Sequence, residues 1–183
     1  MPAAKTRASV LRAARLAFSR AGFDHVGIRE IGAMADIDPA VVIRLFGSKE
    51  ALFEAVAAEA FDLEPAFLGP VGQFGERVAR HLLGPQVADA EFDAFQFLLR
   101  SAASPVAAPI LSRHLEAGFM TPLADLLGGE QAAIRASLAT AAILGFSTLR
   151  FTLTPAMLAS AHPAALTAAL GRFIQAAIEA PVP

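Results

Sequence analysis

The chain has 183 residues, 55% of them apolar, enough to bury a sizeable core in one domain or in a small domain beside a larger one. It has no cysteine, which excludes a disulfide framework and any thiolate metal site and fits a reducing, cytoplasmic setting. The net charge of −2 conceals a division: residues 1–50 carry eight Lys/Arg against five acids, and residues 51–183 carry seven against twelve. A basic head on an acidic body suits a phosphate-binding module joined to a domain that does not bind nucleic acid. The N-terminus lacks the long apolar run of a signal peptide, so no membrane segment is expected there.

Nearly every segment carries a helical period, and none shows strand alternation, so the expected class is all-α. Val10, Leu11, Ala14, Ala17 and Phe18 form the apolar stripe of a first helix that should stop at Gly22, a natural left-handed cap. A short second helix is predicted over 28–35, burying Ile28, Ile31 and Met34, followed by a tight turn at Ala35-Asp36-Ile37. Asp38-Pro39 then starts a third helix, with aspartate as N-cap and proline at the first helical position. That helix should end at Gly47, and Ser48 should cap a fourth over 49–62. Gly69-Pro70 and Gly72 mark a hinge, after which helices are predicted at 73–83, 89–103, 106–127, 130–153 and 163–179, nine in all. The apolar stretch from Ala136 to Phe146 reads as a buried helix, because polar positions and Arg150 interrupt its extension to membrane length.

Two short helices joined by a three-residue turn, the second one capped, form a helix-turn-helix whose second helix enters the major groove of DNA. Val42 and Phe46 are four apart and should face the core, which leaves Pro39, Ala40, Val41, Ile43 and Arg44 on the exposed side. Val41 and Ile43 suit thymine methyls there, and Arg44 suits guanine or phosphate. Lys49 sits at a helix N-terminus, where free N–H groups already favour a phosphate.

The runs Gly22-Phe23-Asp24, Ile28-Arg29-Glu30-Ile31, Ala35-Asp36-Ile37-Asp38 and Phe46-Gly47-Ser48-Lys49-Glu50-Ala51-Leu52-Phe53 resemble the DNA-binding domain of TetR-family transcriptional regulators. The match covers about residues 7–55 and is sharpest at its Phe-Gly-Ser-Lys-Glu end. The resemblance implies a DNA-binding head over 1–48 and a helical ligand-binding and dimerisation body over 49–183. With no cysteine, no tyrosine and no acid/base pair at meaningful spacing, no enzymatic activity is expected, and no cofactor. It also implies a base contact from Arg29 and phosphate or minor-groove contacts from the N-terminal arm with Lys5 and Arg7. Four positions depart from the family pattern. Val26-Gly27 stands where a hydroxyl pair commonly opens the second helix, so Gly27 is a poorer cap and Glu30 lacks its capping-box partner. Asp36 replaces a turn glycine, and Ile43 replaces a frequent tyrosine.

A TetR-like body encloses a cavity, which makes Phe97, Arg100, His114, Phe119 and Phe146 candidate effector contacts; plain core packing is the competing reading for each phenylalanine. Arg100 has a further alternative in an ion pair with Asp93 or Glu116. The last two helices are the expected dimer surface, through Ala139, Ala142, Ile143, Phe146, Leu166, Leu170 and Phe173. Arg12, Arg15 and Arg20 read as a solvated face of the first helix. The four scattered histidines have no metal-ligand spacing. Asp89-x-Glu91-x-Asp93 lacks the glycine and downstream glutamate of a calcium loop and reads as helix N-terminal charge. The expected function is thus a homodimeric repressor released from a palindromic double-stranded DNA operator by a small, mostly apolar effector, with no membrane role. The alternative is a helical small-molecule-binding protein with a weakened DNA-reading head.

Overall fold

The computed structural model describes residues 2–60, 67–84 and 92–180, and no strand occurs among them. The helices are α1 (Pro2–Ala21), α2 (Ile28–Ala35), α3 (Pro39–Phe46), α4 (Lys49–Ala60), α5 (Phe74–Leu83), α6 (Ala94–Ser101) and α7 (Ala107–Leu115). They continue with α8 (Thr121–Leu127), α9 (Ala132–Ser147), α10 (Ala156–Ala159) and α11 (Pro163–Glu179). The 85–91 stretch, which holds Asp89 and Glu91 and the predicted start of the 89–103 helix, lies outside the described residues. Asp62, the predicted end of the fourth helix, lies outside them too.

The long helix predicted over 106–127 is divided. Between α7 and α8, Glu116–Met120 is wound as a wider π-type turn. Pro122 explains the change: it has no N–H to offer the carbonyl four residues back, and its ring would clash there. A second π-type stretch, Thr148–Leu153, extends α9, and Thr154 N–H donates to the Leu149 carbonyl at 2.8 Å before Pro155 ends the run.

The chain forms two compact units, residues 1–62 with 89–115, and residues 63–88 with 116–183. The first is larger than the 1–48 head expected from the sequence, because α4, α6 and α7 pack into it. Its core is a cluster of rings: Phe18 lies 5.1 Å from Phe53, Phe23 lies 5.0 Å from Phe53, and Phe97 of α6 lies 4.6 Å from Phe53. The α1–α2 loop is tied to the end of α6 by two serines. Phe23 N–H donates to Ser101 Oγ at 3.1 Å, and Ser104 Oγ donates to Asp24 at 2.9 Å.

In the second unit α5 crosses α11 at close range. A Cβ on Gly75 would meet the Gly171 carbonyl oxygen at 2.1 Å, so only glycine fits this crossing. Gln175 completes the junction, accepting from Gly75 N–H at 3.0 Å and donating to the Val71 carbonyl at 3.1 Å. A separate ring cluster, Phe67, Phe74 and Phe119, fills the space beside it.

Candidate nucleic-acid interface

The three helices of the head are each started and stopped by local chemistry. Gly22 takes a left-handed φ of +79° after α1. Gly27, the residue before α2, is extended and offers no side-chain cap, so the helix begins with its first N–H groups unserved by a hydroxyl. Asp36 adopts the left-handed conformation itself, φ 56° and ψ 44°, and Ile37 N–H reaches back to the Gly32 carbonyl at 2.9 Å. The turn is thus closed by a Schellman-type bond with aspartate where glycine would be easier. Gly32 is what makes it fit: a Cβ there would meet the Ile37 carbonyl oxygen at 2.7 Å and the Pro39 ring at 3.4 Å. The residue readings missed Gly32, although a glycine inside a short apolar helix signals close backbone approach. Asp38 Oδ1 accepts from Ala40 N–H at 2.7 Å, and Ser48 Oγ accepts from Ala51 N–H at 3.1 Å.

On α3, Val42 is fully buried and Phe46 is half-buried. Ala40, Ile43 and Arg44 are exposed, Ile43 at 41%, whereas Pro39 and Val41 are half-buried at the edge of that face. Arg29 on α2 is exposed as well. Val26 is buried and lies in the head's apolar core, so it makes no surface contact of the kind a hydroxyl there would make. Met34, predicted to be buried, is 41% exposed. Ile31 and Gly32 take the inward positions of α2, and Met34 falls off the edge of that face.

The cations are arranged differently from a row of free lysines and arginines. The expected arm is part of α1, so Lys5 and Arg7 project from a helix, both exposed. The Arg7 guanidinium lies 4.7 Å from the Phe46 ring centre, which ties the start of α1 to the end of α3. Lys49 Nζ lies 4.1 Å from the Phe23 ring centre. Arg12 and Arg20 are exposed, as read from the sequence, but Arg15 pairs with Glu59 at 3.3 Å and stacks over Phe92 at 4.5 Å. On α4, Glu54 receives a hydrogen bond from Arg113 of α7 at 2.9 Å and faces His114 Nε2 at 3.6 Å. The Arg113 hydrogen bond, aided by the nearby charges, holds the Glu54 carboxyl below its ordinary value. The first-turn backbone N–H of Glu50 and the Ser48 hydroxyl hold Glu50 low in the same way.

The five candidate effector residues divide between the units. Phe97 is fully buried in the ring cluster of the first unit, Arg100 is exposed, and His114 is half-buried beside Glu54. Phe119 is buried and Phe146 half-buried in the second unit. Neither ion pair foreseen for Arg100 forms among the described residues.

The dimer candidates also separate. Ala139 and Leu170 are buried within one copy, where α9 packs on α11. Ala142, Ile143, Phe146 and Leu166 are half-buried, and Phe173 is 60% exposed. Beside them Ile134, Leu138 and Leu149 form an exposed apolar row along one face of the 132–153 helix. That helix is long and apolar enough to span a membrane by length and composition, and only 28% of its most apolar window is buried in one copy. The buried helix expected from the sequence is therefore largely uncovered in one copy.

Two family models match the chain: "Bacterial regulatory proteins, tetR family" over residues 10–56 and "Tetracyclin repressor-like, C-terminal domain" over residues 72–178. No curated protein sequence matches. Among solved structures, a TetR-family regulator from Streptomyces coelicolor A3 is 30% identical, with 96% of each chain covered and a TM-score of 0.63. Salmonella enterica GusR is 21% identical over 95% of each chain, with a TM-score of 0.67. A TetR-family regulator from Rhodococcus sp. is 18% identical over 96% of this chain and 99% of that one, with a TM-score of 0.68. The α2–turn–α3 head with its Asp38 cap on α3, the helical body and these matches together show that the chain belongs to the TetR family of transcriptional regulators.

Proposed function

We propose that the chain is a cytoplasmic, homodimeric repressor that binds a palindromic operator and leaves it when a small, mostly apolar effector occupies the body. The observation that carries the reading is the outer face of α3: Ala40, Ile43 and Arg44 are exposed on a helix pinned by the Asp38 cap and the buried Val42. Ile43 would sit against thymine methyls, Arg44 and Arg29 against base edges or phosphates, and Lys5, Arg7 and Lys49 along the backbone. Gly27 would let the α2 backbone approach the DNA closely. Pairing of two copies through the Ile134, Leu138, Leu149 and Phe173 face, with Ala142 and Ile143 beside it, would cover apolar surface that one copy leaves in water. Ala139, Leu170 and Leu166 would support that face from behind. Two reading helices must sit roughly 34–36 Å apart to enter successive major grooves, so a small change in the body would release both. Phe119 and Phe146 are the effector contacts favoured here.

The test is selection from random duplexes followed by anisotropy titration at several salt concentrations. Enrichment of an inverted repeat bound with steep salt dependence is the expected result. The buried Val26 and uncapped Gly27 favour a second reading, a ligand-binding protein whose head reads DNA weakly. Saturable DNA binding with no enriched sequence would establish that reading and end the first.

A further inference from the structure

We infer that Ser147 and Arg150 anchor the acid group of a monocarboxylate effector in the second unit. The inference rests on the effector-responsive reading above and adds the chemistry of the ligand. Three hydroxyls along this helix are satisfied by its own backbone. Ser137 donates to the Ala133 carbonyl at 2.8 Å, Thr140 to Ala136 at 2.7 Å, and Thr148 to Leu144 at 2.8 Å. Ser147 has the same carbonyl four residues back and does not use it. It is 1% exposed, and its Oγ has no hydrogen-bond partner among the described residues. Within one turn of it Arg150 is half-buried, and its Nε is buried without an acceptor among the described residues. Arg150 forms no ion pair among the described residues, and its guanidinium stands 5.7 Å from the Phe151 ring centre, near the limit of a useful cation–π contact.

A buried hydroxyl accepts any polar partner, but a buried Nε–H on a half-buried guanidinium favours an anion over a neutral acceptor. One N–H and one O–H match the two oxygens of a single carboxylate. A doubly charged group would be far costlier to bury beside so apolar a helix, with one cation to balance it. The π-type winding begins immediately after Ser147, and such widenings recur at functional sites. Half-buried Phe146 adjoins Ser147 and would meet the apolar body of the ligand.

The experiment is calorimetric titration of the full chain with octanoate, decanoate and phenylacetate, each beside its primary amide. At least one acid should bind about tenfold or more tightly than its amide. Arg150→Gln should bring that ratio near one, and Arg150→Lys should restore part of it. Ser147→Ala should weaken the acid several-fold while its thermal midpoint stays level or rises, because it removes an unpartnered hydroxyl. A hydroxyl serving only the fold would lower the midpoint instead. The inference is overturned if no acid binds, if amides bind as tightly as acids, or if Arg150→Gln keeps the acid preference. It is also overturned if Arg150→Gln loosens the dimer in sedimentation while leaving the ratio intact, which would put the arginine's partner in a second copy. Anisotropy with the selected operator on the same samples separates the two levels. Operator binding without acid binding removes this site alone, and acid binding that leaves operator affinity unchanged removes the regulatory reading alone.

Discussion

Replacing Phe97 by alanine tests whether α6 belongs to the DNA-binding unit or serves a ligand. The ring is fully buried, 4.6 Å from Phe53, 6.5 Å from Phe18 and 5.6 Å from Phe92. Removing it forfeits the buried apolar area, opens a cavity and breaks three ring contacts, and Phe→Ala changes at such sites cost about 3–5 kcal/mol. Against a total stability of roughly 5–15 kcal/mol that is a large share. A unit that starts near 8 kcal/mol would keep about 4, which still leaves it about 99.9% folded at 25 °C. Phe97→Ala should therefore lower the urea midpoint strongly while changing operator affinity at 25 °C little. Far-UV circular dichroism is the suitable probe, because the chain has no tryptophan or tyrosine for intrinsic fluorescence. A loss below about 1 kcal/mol would refute the packing argument. So would unchanged stability with a lost effector response, the result expected of a ligand contact.

Asp38→Ala removes the acceptor for Ala40 N–H and should cost about 1 kcal/mol in thermal or urea unfolding, whereas Asp38→Ser should recover most of it. Gly75→Ala forces a methyl group against the Gly171 carbonyl, and α5 and α11 must separate; we expect a loss of about 1–3 kcal/mol, read by thermal unfolding. Leu138→Glu puts a charge on the exposed row of α9 and should shift sedimentation from dimer toward monomer. Glu54 has a carboxyl pKa lowered mainly by the Arg113 hydrogen bond, so its contribution is complete above the ordinary carboxylate value and is lost as pH falls through the lowered one. Urea midpoints of wild type and Arg113→Ala should therefore differ at pH 7 and converge in acid. Both side chains are about half exposed, so the difference should stay within about 1 kcal/mol.

The frame of the head was legible because its signals are local. A proline and an aspartate start α3, glycines stop α1 and α3, and a serine caps α4; each acts on backbone groups within four residues of itself. Apolar period also placed Val10, Phe18, Ile31 and Val42 inside, since a helix with one polar side has one way to turn. Met34 escaped because α2 turns Gly32 inward, so that the following turn and Pro39 can press against its backbone, a demand set by another helix.

The body was less legible, and α9 shows why. It is apolar on nearly every side, so its period does not distinguish the face that meets α11 from the face left open. The sequence alone therefore mixed Ala139 and Leu170, which pack inside one copy, with Phe173, which does not. Phe97 posed the same difficulty: its composition suits a core or a pocket equally, and only the packing of α6 against α1 and α4 decides between them. What the sequence determined by itself was the helices of the head, their caps and the presence of a DNA-reading motif, because those depend on neighbours along the chain. Which apolar face is core, where the first compact unit ends, and which buried polar groups go unpaired were decided by tertiary structure, because burial and pairing depend on atoms far apart in sequence.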